Sequence, residues 1–155
     1  MRRTDESLEL MMKTILLLAF ICIFTTAAEK STFTTNDHVK VEMLSPSKLA
    51  IAKPGAVTFH FIPIDGIHIN AEPMFELKLD KDSQFEVTGE PRYTKNEKEY
   101  IDIKKPIEFS IKTKSGTKPG TYQLKAKLYY FYCSDKEGWC NRFSQPIECS
   151  ATVTR

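Results

Sequence analysis

The sequence predicts an all-β fold, an antiparallel β-sandwich of immunoglobulin-like size with about eight strands. Two observations carry the prediction: apolar residues recur with a period of two along several short segments, and turn-forming clusters separate those segments. The alternating segments are 39–43, 57–61, 75–79, 85–87, 100–103, 107–111, 122–132 and 147–153. The turn signals lie at 45–47, 53–55, 65–66, 89–91 and 115–120. Short strands at this spacing are typical of two sheets packed face to face.

The last two strands carry the most information about function. One face of segment 122–132 is apolar throughout, whereas the other begins with Gln123 and two lysines and ends in Tyr129, Phe131 and Cys133. Aromatic side chains at the exposed end of a strand predict a cover, either a loop of the same chain or a partner protein. In the final strand Cys149 alternates with polar residues, so it is predicted to point into the core.

The length and charge of the chain limit the classes of function. A chain of 155 residues with 41% hydrophobic residues is about one domain with a real core. Lysine and arginine number 22 and aspartate and glutamate 20, and the two signs are interspersed. This distribution shows no cluster of basic residues of the kind that binds nucleic acid or an anionic membrane surface.

Residues 1–28 are predicted to be a signal peptide, with an apolar segment at 15–24 and small residues before the cleavage point. The acidic start of the chain suggests that translation begins at Met11 or Met12. A lipid anchor on Cys22, the one route to membrane contact, is disfavoured by the bulky Ile21 before it. A flexible lead-in is expected at 29–38 and the folded domain at 39–155, in the periplasm or secreted. Disulfides persist in such compartments.

Three cysteines remain after cleavage, and six residues separate Cys133 from Cys140. These two form the best pair, because the loop between them contains a glycine and is long enough to fold back. The bridge is either a structural staple, which contributes about 2–3 kcal/mol through loop-closure entropy, or a redox-active pair. Zinc is weakly supported because the histidines are scattered along the chain and no short zinc-ligand spacing occurs. No hydrolase or phosphate-binding motif is present, and no cofactor is suggested.

Two motifs nevertheless resemble those of a known family. The segment GIHINAEP at 66–73 and the segment YCSDKEGWC at 132–140 resemble the N-terminal periplasmic domain of the thiol:disulfide interchange protein DsbD. The resemblance covers about 39–153, although the loop between the cysteines has six residues where that family usually has five.

The resemblance implies an immunoglobulin-like sandwich whose cysteine pair passes electrons between thioredoxin-like or other exported thiol proteins. It implies that Cys140 forms the mixed disulfide with a partner and that Cys133 resolves it. A cap loop would correspond to 91–96 and carry Tyr93, while Tyr129, Phe131 and Trp139 would form the docking face. No small-molecule substrate and no metal is implied.

Overall fold

A computed structural model describes the backbone of residues 29–155 and the side chains of residues 34–155. The predicted signal peptide and Cys22 lie outside these described residues. Within them the chain forms ten strands and no helix. The strands are β1 (Glu29–Thr35), β2 (Val39–Pro46), β3 (Lys48–Ala50), β4 (Gly55–Pro63), β5 (Ile67–Ile69), β6 (Glu76–Leu79), β7 (Phe85–Val87), β8 (Ile107–Thr113), β9 (Gly120–Ser134) and β10 (Trp139–Thr154).

The strands form two sheets, which confirms the predicted all-β sandwich. The first sheet has the order β1-β2-β4-β8-β7. The second has the order β3-β10-β9-β5, and β6 pairs with β9 next to β5. Every pair is antiparallel except the short parallel pair of β3 with β10. The long hairpin of β9 and β10 is therefore the centre of the second sheet.

The period-two pattern accounts for the core, because alternate side chains of each strand point to the same face. Val57, Phe59 and Phe61 from β4 are buried in the first sheet, and Leu124 and Leu128 from β9 are buried in the second. Phe59 meets Phe109 edge to face, with ring centroids 5.7 Å apart. The prediction for Cys149 is confirmed, since its side chain is buried within this core.

The structure differs from the sequence prediction in four segments. The expected flexible lead-in contains strand β1, which pairs with β2 from Glu29↔Pro46 to Thr35↔Lys40. The expected strand at 100–103 is reduced to isolated bridges, Tyr100 with Asn70 and Ile101 with Lys95. The short strands β3 and β5 were not predicted, because three residues contain too few repeats for a period of two to be visible.

A buried polar network joins the turn after β1 to the β9–β10 hairpin. The Asn36 side-chain oxygen accepts hydrogen bonds from the backbone N–H groups of His38 and Val39. Its amide nitrogen donates to the Tyr130 hydroxyl at 2.9 Å, and that hydroxyl donates to Gln145 Oε1 at 3.0 Å. Burial raises the pKa of Tyr130, so the hydroxyl stays protonated and remains a donor.

Candidate functional site

The cysteine hairpin is an unbroken antiparallel ladder that ends in a tight turn. Its register runs from Gly120↔Val153 to Ser134↔Trp139, and residues 135–138 form the turn. Gly138 has a φ of 73°, and its backbone N–H donates to the Ser134 carbonyl at 2.9 Å. This left-handed conformation is one that glycine adopts without steric cost. The glycine therefore closes the hairpin and holds the two cysteines opposite each other.

The conformation of Gly138 makes a testable prediction about hairpin stability. We expect Gly138→Ala to lower the free energy of unfolding by about 1 kcal/mol, because only the positive φ opposes a β-carbon there. A β-carbon at this position would meet no atom within 4 Å, so crowding does not contribute. Urea denaturation measures the change. Gly138→Asn is the matched control and should cost less, because asparagine tolerates this conformation; equal losses for both variants would contradict the argument.

The predicted pairing of Cys133 with Cys140 is confirmed by a disulfide whose sulfur atoms are 2.00 Å apart. The two residues are direct cross-strand partners, with Cα atoms 4.1 Å apart. Their environments differ: Cys133 is 4% exposed, whereas Cys140 is an exposed residue. The bond is therefore more accessible to a solute from the Cys140 side than from the Cys133 side.

His68 lies next to the disulfide on the other side of Cys133. The β5–β9 register places His68 directly opposite Cys133, and directly opposed residues share one face of a sheet. The Tyr100 ring stacks on the imidazole at 3.7 Å with an interplanar angle of 14°. His68 Nδ1 lies 3.6 Å from an Asp135 carboxylate oxygen. Tyr100, His68, Cys133 and Cys140 thus form a row across one face of the sheet.

An open cavity of about 440 Å³ lies beside this row. His68, Tyr100 and Asp135 contribute to its lining, together with Lys98 and Lys136. The Tyr100 hydroxyl lies 3.4 Å from an Asp135 oxygen, which joins the two walls of the cavity. The imidazole is therefore accessible to solvent from this side, with 16% of the His68 side chain exposed.

The structure places the expected cap residue Tyr93 away from this row. Its ring packs edge to face on Phe75, with centroids 5.8 Å apart, and its hydroxyl donates to the Ala71 carbonyl at 3.4 Å. Tyr93 is thus half-buried against the edge of the core. The aromatic residue from this part of the chain that reaches the cysteine hairpin is Tyr100.

The three expected docking residues lie on two different faces. Tyr129 and Phe131 share the face of Cys133, and both are half-buried. The Tyr129 ring is covered by two cations, with Arg142 4.6 Å and Lys78 5.1 Å from its centroid. These contacts from the same chain supply part of the cover that the sequence predicted.

Trp139 belongs to the opposite face, because it is the first residue of β10 and alternates with Cys140. Its indole packs against His38 at 5.1 Å and against Tyr132 at 5.9 Å, at the end of the core. It anchors the turn from beneath the sheet, and it does not share a surface with Tyr129 and Phe131.

His68 lies within the GIHINAEP segment and Asp135 within the YCSDKEGWC segment, but no local pattern places either residue in the site. Over the described residues, no group of three or more histidine, cysteine, aspartate or glutamate side chains could hold a metal ion. That part of the chain also has no helix long and apolar enough to cross a membrane.

No protein-family model, no curated protein and no solved structure matches the chain.

Proposed function

We propose that the protein is an exported thiol–disulfide exchange module that passes electrons from a thioredoxin-like donor to other exported proteins. The observation that carries the proposal is the asymmetry of the disulfide, in which Cys140 is exposed and Cys133 is buried. Exchange requires one sulfur that a partner can reach and a second that leaves and later resolves the mixed disulfide. The resemblance to the N-terminal domain of DsbD assigns the same two roles to the same residues.

The exchange proceeds in two balanced steps. A donor thiolate attacks the Cys140 sulfur, the bond between the two cysteines breaks, and Cys133 takes the electron pair and a proton. A second donor thiolate then attacks the donor sulfur of the mixed disulfide and releases Cys140, which is protonated in turn. The donor dithiol becomes a disulfide, and the pair gains two electrons and two protons. The reverse sequence reduces a disulfide in the target protein.

The alternative is a binding or structural sandwich with a permanent staple. The burial of Cys133 favours this alternative, because a buried sulfur is protected from reduction. The ladder register argues against it: fifteen residue pairs already hold β9 and β10 together, from Gly120↔Val153 to Ser134↔Trp139. A bridge at the end of such a ladder stabilises the folded state by about 2–3 kcal/mol through loop-closure entropy, and it is not needed to define the hairpin.

A redox titration with free-thiol counting separates the two functions. We expect the Cys133/Cys140 pair to titrate between about −270 and −120 mV, the range of exchange proteins, whereas a structural bridge titrates below about −300 mV. The titration is best performed in a Cys149→Ala background, so that full reduction exposes two thiols and no third. A potential below about −300 mV, or failure of thioredoxin to reduce the pair at equilibrium, would sink the exchange function.

A further inference from the structure

In the proposed exchange the sulfur that leaves the disulfide is that of Cys133, which lies in a poorly solvated site. Cys133 is 4% exposed, so a thiolate formed there lacks most of the water that would stabilise its charge. Breaking the disulfide from the Cys140 side is therefore slow unless a proton reaches Cys133 as the bond breaks. The neighbours of Cys133 decide whether such a proton is available.

We infer that His68 is the proton donor to the Cys133 sulfur when the disulfide is reduced, and the acceptor of that proton in the reverse direction. The inference rests on the proposed exchange function and adds a residue to it. His68 and Cys133 are direct cross-strand partners on one face of the sheet. Side chains in such pairs have β-carbons about 4.5–5.5 Å apart, a separation that an imidazole spans.

Two side chains hold the imidazole in place. Tyr100 stacks on its ring, and the Asp135 carboxylate lies 3.6 Å from Nδ1. With Nδ1 directed at the carboxylate, Nε2 is the nitrogen available to the sulfur. Asp135 and Tyr100 act as positioning residues for the imidazole, and Lys98 and Lys136 line the same cavity.

The proton moves as follows. When a donor thiolate bonds to the Cys140 sulfur, the electron pair of the disulfide passes to Cys133, and the imidazolium gives its Nε2 proton to that sulfur. The neutral imidazole regains a proton from solvent through the open cavity. In the reverse direction neutral His68 accepts the proton of the Cys133 thiol, and the resulting thiolate resolves the mixed disulfide with the target.

The test is the rate at which dithiothreitol reduces the oxidised protein between pH 4.5 and 9, divided by the concentration of the dithiothreitol thiolate. In the wild type we expect this normalised rate to be higher at pH 5 than at pH 9, because general-acid catalysis requires the protonated imidazole. His68→Gln should be reduced at least about tenfold more slowly than the wild type at pH 5, and its normalised rate should not decrease between pH 5 and pH 9. His60→Gln, on a strand of the other sheet, is the matched control and should follow the wild type.

Asp135→Asn tests the same proton transfer from His68 to Cys133 but keeps the imidazole. Asp135 is exposed, so this variant keeps the fold. At pH 5 its normalised rate should lie between those of the wild type and His68→Gln, because the carboxylate no longer orients the imidazole. A His68→Gln profile that superimposes on the wild type would overturn the role of His68 and leave exchange intact, and a wild-type rate in Asp135→Asn would overturn the positioning role of Asp135. Failure of dithiothreitol and thioredoxin to reduce the wild type would instead overturn exchange, and the inference with it.

Discussion

Cys140→Ser is expected to lose all exchange with a thioredoxin-like partner, whereas Cys133→Ser is expected to accumulate a mixed disulfide with it. The physical reason is the difference in access, since Cys140 is exposed and Cys133 is 4% exposed. With a thioredoxin variant that lacks its second cysteine, the mixed disulfide formed by Cys140 has no thiol left to resolve it once Cys133 is removed. Non-reducing electrophoresis and intact mass measure the covalent complex after incubation with that variant, activated as its thionitrobenzoate disulfide so that thionitrobenzoate is the leaving group.

The two serine variants control for each other. Each removes the same disulfide and therefore loses the same loop-closure contribution, so a difference between them reports access and reactivity. A Cys149→Ala background excludes a complex formed through the third cysteine. Equal amounts of covalent complex with both variants, or more with Cys140→Ser, would contradict the assigned roles.

Tyr130→Phe is expected to lower the free energy of unfolding by about 1–3 kcal/mol. The substitution removes the hydroxyl that donates to Gln145 and accepts from Asn36, and Gln145 is 2% exposed. A buried acceptor left without its donor costs its desolvation, which is larger than the net value of the hydrogen bond. Urea denaturation at pH 7 measures the loss.

Two comparisons sharpen this prediction. Tyr130→Phe combined with Gln145→Leu should recover part of the loss, because both polar partners are then replaced by apolar groups. Tyr129→Phe, on the half-buried outer face, should change the stability by less than about 0.5 kcal/mol. A loss in the double variant equal to the sum of the two single losses would show that the network contributes nothing beyond its members.

The raised pKa of Tyr130 predicts that the free energy of unfolding depends on pH in the alkaline range. Burial raises the pKa of Tyr130 above its ordinary value of about 10, so the folded state holds the proton more tightly than the unfolded state. The resulting stability is fully present below about pH 10 and is lost as the pH rises above it. The stability difference between the wild type and Tyr130→Phe should therefore shrink above about pH 10.

The sequence by itself determined the sandwich, its core faces, the core position of Cys149 and the hairpin that brings Cys133 to Cys140. Each of these depends on local patterns: alternation of apolar and polar residues along one strand, and turn residues between neighbouring strands. The burial of Leu124 and Leu128 on one face of β9, with Cys149 beside them on β10, shows how directly that alternation translates into packing.

Only the tertiary structure decided which side chains surround the disulfide. His68, Tyr100 and Asp135 come from three separate segments, and the pairing of β5 with β9 brings His68 beside Cys133. Register between distant strands is not encoded in local pattern, and a shift of one residue sends every side chain to the opposite face. Tyr100 illustrates the point, because its ring reaches His68 through the bridge that joins Tyr100 to Asn70.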